Sequence, residues 1–189
     1  MRIITGSARG IKLVTLEGEE TRPTAERVKE AIFSMIQFEI EGRRVLDLFA
    51  GSGQMSLEAL SRGAAKATMI DINGDATKII KTNAQKTKLY DKCVVLNGDC
   101  KKFIKGFSGK EQFDIIFVDP PYERRMIPEI LNYLTKFDVI APNGLVICED
   151  DREKPFEFDG LTLRRHAKYG RIYVTVLEKS NDGETENEE

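Results

Sequence analysis

The segment FDIIFVDPPYERR, Phe113 to Arg125, sets an acid, two prolines and an aromatic ring at the end of an apolar run. The Asp119 carboxylate and the Pro120 carbonyl can both accept hydrogen bonds from one flat NH₂ group. Such bonds orient the amine and turn its lone pair toward an electrophile. Tyr122 offers a face for a base taken out of its stack, a contact worth roughly 1–3 kcal/mol. Pro120 and Pro121 bring no backbone donors and fix two φ angles, so the turn is stiff. Pro120 also keeps Asp119 out of the helical region. All four residues together read as a site for an acceptor amine rather than a generic strand end.

A second stretch, DLFAGSG from Asp47 to Gly53, reads as a turn between a strand and a helix. Gly51 and Gly53 permit a tight turn and a close approach of backbone to a ligand at a helix N-terminus. The stretch lacks the Gly-Lys-Ser/Thr ending of a P-loop and the full dinucleotide fingerprint, and a purely structural turn would use the same glycines. About twenty residues on, MIDIN places Asp71 where an acid can accept both ribose hydroxyls of an adenosine. NGDC places Asp99 after the next strand, either as an acceptor for an adenine amine or as a helix cap. These strand ends would hold an adenosine whose other end need not be a pyrophosphate.

The elements that must position these residues alternate from Arg43 onward. RVLDLF, KATMIDI, KCVVLN, DIIFVD and GLVICED read as strands. GQMSLEALSRG, GDATKIIKTNAQKT, CKKFIKGF and IPEILNYLTKF read as the helices between them. Strands joined through helices imply right-handed crossovers and a parallel sheet covered on both faces. LTLRRHAKY and RIYVTVLEK are separated only by a turn at Gly170, which predicts an antiparallel hairpin at the end of the sheet. Upstream, RIIT and IKLVTL around GSARG predict a small β-hairpin. TRPTAERVKEAIFSMIQF predicts a helix capped by Thr24, with Val28, Ile32, Met35 and Ile36 on its apolar face. The expected division is an N-terminal hairpin and helix over 1–40, a catalytic domain over 41–179 and an acidic disordered tail over 180–189.

The tail shapes the charge balance. The chain of 189 residues has a formal net charge of -2, yet its last ten residues hold five acids and no base. Residues 1–179 carry 29 bases against 26 acids, so the body is mildly basic and compatible with an anionic partner. No apolar run approaches the roughly 20 residues of a membrane span, and MRIITGSARG has no signal-peptide core. Cys93, Cys100 and Cys148 are scattered, which fits free thiols in a reducing cytoplasm. With His166 as the one histidine, no metal site is expected.

In order, VLDLFAGSG, MID, NGD and VDPPY resemble the Rossmann-like, class I methyltransferases that use S-adenosylmethionine and methylate an exocyclic amine. RIITGSARGIKL, TRPTAERVKEAIFSMI, VLDLFAGSGQMSLEALSRGA and FVDPPY together resemble, more narrowly, the RsmD-type bacterial 16S rRNA guanine-N2 methyltransferases. The resemblance runs from residue 1 to about 178. It implies an α/β fold with a mostly parallel seven-stranded sheet and S-adenosylmethionine as the cofactor. It also implies 16S rRNA as the partner, within the small ribosomal subunit or its assembly intermediate. The cofactor set is then Asp47, Phe49, Ala50, Gly51, Ser52, Gly53, Asp71, Ile72, Asp99 and Cys100, and the catalytic set is Asp119, Pro120, Pro121 and Tyr122. Arg22, Thr24 and Arg27 resemble family positions that close over the cofactor and substrate. Arg9, Lys12, Arg124 and Arg125 are candidate RNA contacts, for which solvated surface charge is the plain alternative. Gln54-Met55 departs from the small or aliphatic residues common in the family at that place.

Other classes compete. A DNA adenine-N6 methyltransferase shares the acid-Pro-Pro-aromatic turn but carries a target-recognition domain for which this chain has no room. A glutamine methyltransferase has Asn where Asp119 stands. A NAD dehydrogenase needs a fuller glycine fingerprint and an acid–base group. A non-catalytic RNA-binding module would not need the turn at all.

Overall fold

A computed structural model describes residues 1–16, 23–121 and 126–180. Five parallel strands arise around short apolar runs: β1 (Arg44–Asp47), β2 (Lys66–Asp71), β3 (Cys93–Asn97), β4 (Phe113–Val118) and β5 (Ile140–Asp150). Runs such as Ile115–Val118 are buried on both faces, and each such side chain contributes about 1.5–3 kcal/mol by leaving water. β6 (Leu161–Tyr169) and β7 (Ile172–Lys179) follow as the antiparallel hairpin. The seven-stranded order is β3-β2-β1-β4-β5-β7-β6. The last strand is thus interior and β6 forms the edge. Burial explains this order. Val174 to Leu177 of β7 are buried, whereas Thr162 to Arg165 of β6 are exposed.

Side-chain alternation sorts the core into two faces. Val45, Met69, Ile115, Phe117, Leu145 and Ile147 share one core with α1 (Pro23–Met35), α2 (Gln54–Ser61) and α3 (Gly74–Lys86). Leu46, Ile70, Ile116, Val118, Val146 and Cys148 share the other with α4 (Cys100–Phe107) and α5 (Met126–Lys136). The fold is therefore the expected three-layer α/β arrangement.

Local departures have physical reasons. The first helix begins at Pro23, so Thr24 lies inside its first turn rather than ahead of it as a cap; proline at the first helical position loses no hydrogen bond. β5 begins at Ile140, four residues before GLVICED. Its pairing with β4 jumps from Phe113↔Ile140 to Ile115↔Leu145, so residues 141–144 bulge out, with Asn143 at φ 57°.

The N-terminal residues form a minimal hairpin with a single bridge, Arg2↔Lys12. It is anchored on α2 by a buried carboxylate. Glu58 accepts from the backbone N–H groups of Ile4 (2.7 Å) and Thr5 (3.0 Å), and pairs with Arg62 (2.8 Å) and Lys29 (3.6 Å). Lys29 and Glu58 side chains are 1% and 0% exposed, and Lys29 also donates to the Arg2 carbonyl at 2.6 Å. Burial draws the Lys29 pKa down while Glu58 opposes it. Losing one partner of such a buried pair costs about 3–5 kcal/mol, so the hairpin is firmly placed.

Candidate active site

Four neighbouring strands end in acids at one edge of the sheet: Asp71 on β2, Asp47 on β1, Asp119 just past β4 and Glu149 on β5. Each continues the alternation of the α1–α3 face, two residues after Met69, Val45, Phe117 and Ile147. Asp119 and Pro121 are exposed and Pro120 is half-buried. Tyr122, Arg124, Arg125 and Arg22 lie outside the described residues, as does the side chain of Thr24.

The glycine turn is built as its sequence requires. Gly51 and Gly53 take φ 52° and 78°. A Cβ on Gly53 would sit 3.3 Å from Met69 Sδ and from two Ile80 carbons, so another residue would be strained by the backbone angle and tightly packed as well. The Gly51 N–H donates to Asp71 Oδ2 (2.8 Å), and Asp71 Oδ1 accepts from the Asn73 N–H (2.8 Å). Asn83, wholly buried on α3, donates to the Ser52 and Val14 carbonyls at 2.9 Å each and accepts from the Val14 N–H at 2.8 Å. It ties the glycine turn to the N-terminal segment, a role that a mid-helix asparagine does not announce in sequence.

Asp47 is 4% exposed and accepts from Ser56 Oγ at 3.1 Å. Burial pushes its carboxyl up to about 7, against the Ser56 hydrogen bond and with the added charges of Asp119 and Asp71. Burial likewise holds Glu149 well above the usual carboxylate range, reinforced by Asp119 and Asp47. In sequence Glu149 is an ordinary strand-end acid; the β4–β5 pairing, which ends at Val118 opposite Cys148, is what brings it level with Asp119.

Asp99 caps α4, its Oδ1 accepting from Lys101 (2.8 Å) and Lys102 (3.2 Å) N–H groups. Capping uses that oxygen and leaves Oδ2 without a described partner. Beside Asp71, Ile72 is 77% exposed and presents an apolar face to a flat ring. Phe49 is half-buried; Ala50, Ser52 and Cys100 are buried. Burial pushes the Cys100 thiol up to about 11, so it stays neutral rather than reacting. Gln54, the departure from the family pattern, opens α2, and its buried Oε1 has no partner among the described residues. An unfilled acceptor, a turn of two glycines with positive φ and two acids with spare acceptor capacity fit a nucleoside-bearing ligand with an ammonium group.

The basic candidates are more scattered. Arg9 and Lys12 are exposed on the N-terminal hairpin and Arg27 is exposed on α1. The turn that carries Arg9 packs on Ser61, through Ser7 N–H to the Ser61 carbonyl at 2.9 Å. That is the far end of α2 from Gly53, about 12 Å along the axis.

The family described as "Conserved hypothetical protein 95" matches residues 1–178. The chain belongs to that family. Among its relatives, "Ribosomal RNA small subunit methyltransferase D" of Haemophilus influenzae is 35% identical, over 82% of this chain and 81% of that one. The Escherichia coli protein of the same name is 33% identical, over 98% of this chain and 93% of that one. A solved Escherichia coli chain, yhhF, superposes with a TM-score of 0.84 at 31% identity, covering 95% of this chain and 98% of that one.

Proposed function

We propose that this chain transfers a methyl group from S-adenosylmethionine to the exocyclic N2 of a guanine in small-subunit ribosomal RNA, in the cytoplasm. One observation carries the reading. The glycine turn follows β1 and the Asp119-Pro120-Pro121 turn follows β4, and these strands are hydrogen-bonded neighbours with Asp47 opposite Phe117. Donor loop and acceptor turn therefore face each other across one strand spacing, about 4.8 Å. The names of the relatives support ribosomal RNA as substrate. The choice of guanine N2 rests on the resemblance of RPTAERVKEAIF and FVDPPY to guanine-N2 enzymes.

S-adenosylmethionine, when bound, supplies an already activated methyl group for a nitrogen lone pair. Gly51, Ser52, Gly53 and Gln54 would hold its amino-acid end, Asp71 and Ile72 its ribose and ring, with Asp99 and Cys100 beyond. Asp119 and the Pro120 carbonyl accept from the guanine NH₂, fixing its orientation. Tyr122 stacks on the base, which must leave its helix to enter. Catalysis is then mainly positioning. Asp119 serves first as an orienting acceptor and second as a place for the proton that the methylated amine sheds.

The test is methyl transfer from labelled S-adenosylmethionine to small ribosomal subunits from a strain lacking this enzyme, followed by nucleoside analysis. Label in N2-methylguanosine is expected. Label in N6-methyladenosine, or none in ribosomal RNA, overturns the reading.

A further inference from the structure

The β6–β7 hairpin ends at the same edge as the acceptor turn. Asp150, the last residue of β5, pairs with Tyr173, and the hairpin closes just beyond it at Tyr169↔Ile172. The tip, Gly170-Arg171, thus stands past the C-terminal end of β5. Its strand β6 lies three strand spacings from β4, or about 14 Å. The stretch RRHAKYGR, Arg164 to Arg171, contains four formal cations and no acid. Arg164 is engaged with Glu39 (2.6 Å) and Glu178 (3.8 Å), low on the strand. Arg165 and Arg171 are exposed and form no ion pair with another described residue. Lys168 is exposed above the Tyr173 ring, 5.2 Å from its centroid, and His166 stacks on that same ring at 5.2 Å.

From this placement we propose that the tip of the β6–β7 hairpin, through Lys168 and Arg171, is a docking surface for the RNA backbone flanking the extruded base. The proposal rests on the RNA-methylating reading above and names the side from which the RNA arrives. The cofactor residues occupy the β1–β2–β3 half of the edge, so the polyanion must approach over β4, β5, β7 and β6. Acids also lie along that path, Asp119 and Glu149 at the strand ends and Asp150, which Arg152 meets at 3.9 Å. Glu153 lies near Lys168, and its backbone carbonyl is bound by His166 at 2.9 Å. What the tip presents outward is cationic, with an aromatic ring beneath, as a phosphate-tracking surface requires. The competing explanation is that basic residues merely keep the open β6 edge from pairing with another strand.

Salt dependence separates the two. Binding of the full chain, loaded with S-adenosylmethionine, to purified small ribosomal subunits is measured across salt concentrations, beside single-turnover methylation. Lys168→Gln/Arg171→Gln should lower the slope of log affinity against log salt by about two, and raise the subunit KM about tenfold. Cofactor affinity and saturated rate should stay unchanged. Arg171→Gln alone should lower the slope by about one, and it serves if the Lys168 change disturbs Tyr173. Lys110→Gln, exposed at the opposite edge of the sheet, is the control. An unchanged slope in a folded double variant, or an equal change from Lys110→Gln, overturns the docking surface. If the wild-type chain binds subunits but labels no ribosomal RNA, the methylation reading fails separately, and the slopes still decide the tip.

Discussion

Asp71 and Gly51 are joined by a 2.8 Å hydrogen bond from the glycine N–H to the carboxylate, across the gap between β2 and the turn after β1. The acid that should receive a ribose therefore also shapes the loop that should receive the rest of the cofactor. Each carboxylate oxygen has a second lone pair, so Asp71 can do both at once.

Removing this carboxylate should consequently weaken cofactor binding twice over. Asp71→Ala loses the charge-assisted bonds to the ligand and frees the Gly51 N–H, for a combined loss of about 1–3 kcal/mol or more. Isothermal titration with S-adenosylmethionine measures it. An unchanged dissociation constant would take Asp71 out of the site.

Asp47 should make the protein less stable as pH rises. Its folded carboxyl titrates at about 7, raised by burial, while the unfolded group titrates near 4. Between these values the folded state binds more protons. Stability therefore falls as pH climbs from about 4 to about 7, and the full cost persists above that. Glu149 acts in the same direction. Asp47→Asn keeps an acceptor for Ser56 and removes the charge. It should flatten the dependence of the unfolding midpoint on pH in that window and gain up to a few kcal/mol at pH 8, at about 1.4 kcal/mol per tenfold change in protonation ratio. Denaturant titrations of both proteins from pH 4 to 8 decide it; parallel curves would show that Asp47 is not buried as a charge.

The anchoring of the N-terminal hairpin predicts a contrast between two glycines. Gly6 has φ +86°, and a Cβ there would lie 1.8 Å from the Ser61 carbonyl oxygen; Gly10 has φ +82° with nothing within 4 Å. Gly10→Ala should cost only the left-handed backbone penalty, about 1–2 kcal/mol. Gly6→Ala should cost clearly more, because the hairpin must lift off α2 and strand Glu58. Equal losses of melting temperature would mean that the turn can shift without undocking.

The parts of this site that were legible in the sequence are those where backbone geometry dictates residue type. Gly51 and Gly53 declare a tight turn, Pro120 and Pro121 a stiff one, and unbroken apolar runs declare buried parallel strands. The strand order at the end of the sheet was not legible, because a hairpin's sequence does not say which of its strands inserts beside β5. Only the greater burial of β7 settles that. Asn83 and Glu58 were missed for a related reason. Their polar side chains bond to backbone groups 31 to 69 residues away, and such contacts leave no local pattern. Glu149 reads as an ordinary strand-end acid until register sets it beside Asp119.

The acceptor turn carries the sharpest prediction, because its residues should affect transfer and spare cofactor binding. Asp119 lies past β4 and outside the glycine turn, so Asp119→Ala should remove an orienting acceptor while leaving every residue of the glycine turn in place. Single-turnover methyl transfer to small subunits should fall about 100-fold, the scale of a misplaced reacting atom. The dissociation constant for S-adenosylmethionine should change little. Asp119→Asn keeps one acceptor oxygen but offers an N–H to the incoming amine, so it should fall nearly as far. Pro121→Ala loosens the turn and should cost less than either. Tyr122→Ala should lose roughly 1–3 kcal/mol of base stacking, while Tyr122→Phe keeps the ring and most of the rate. Wild-type transfer by Asp119→Ala, with its fold intact, would place the chemistry elsewhere in the molecule.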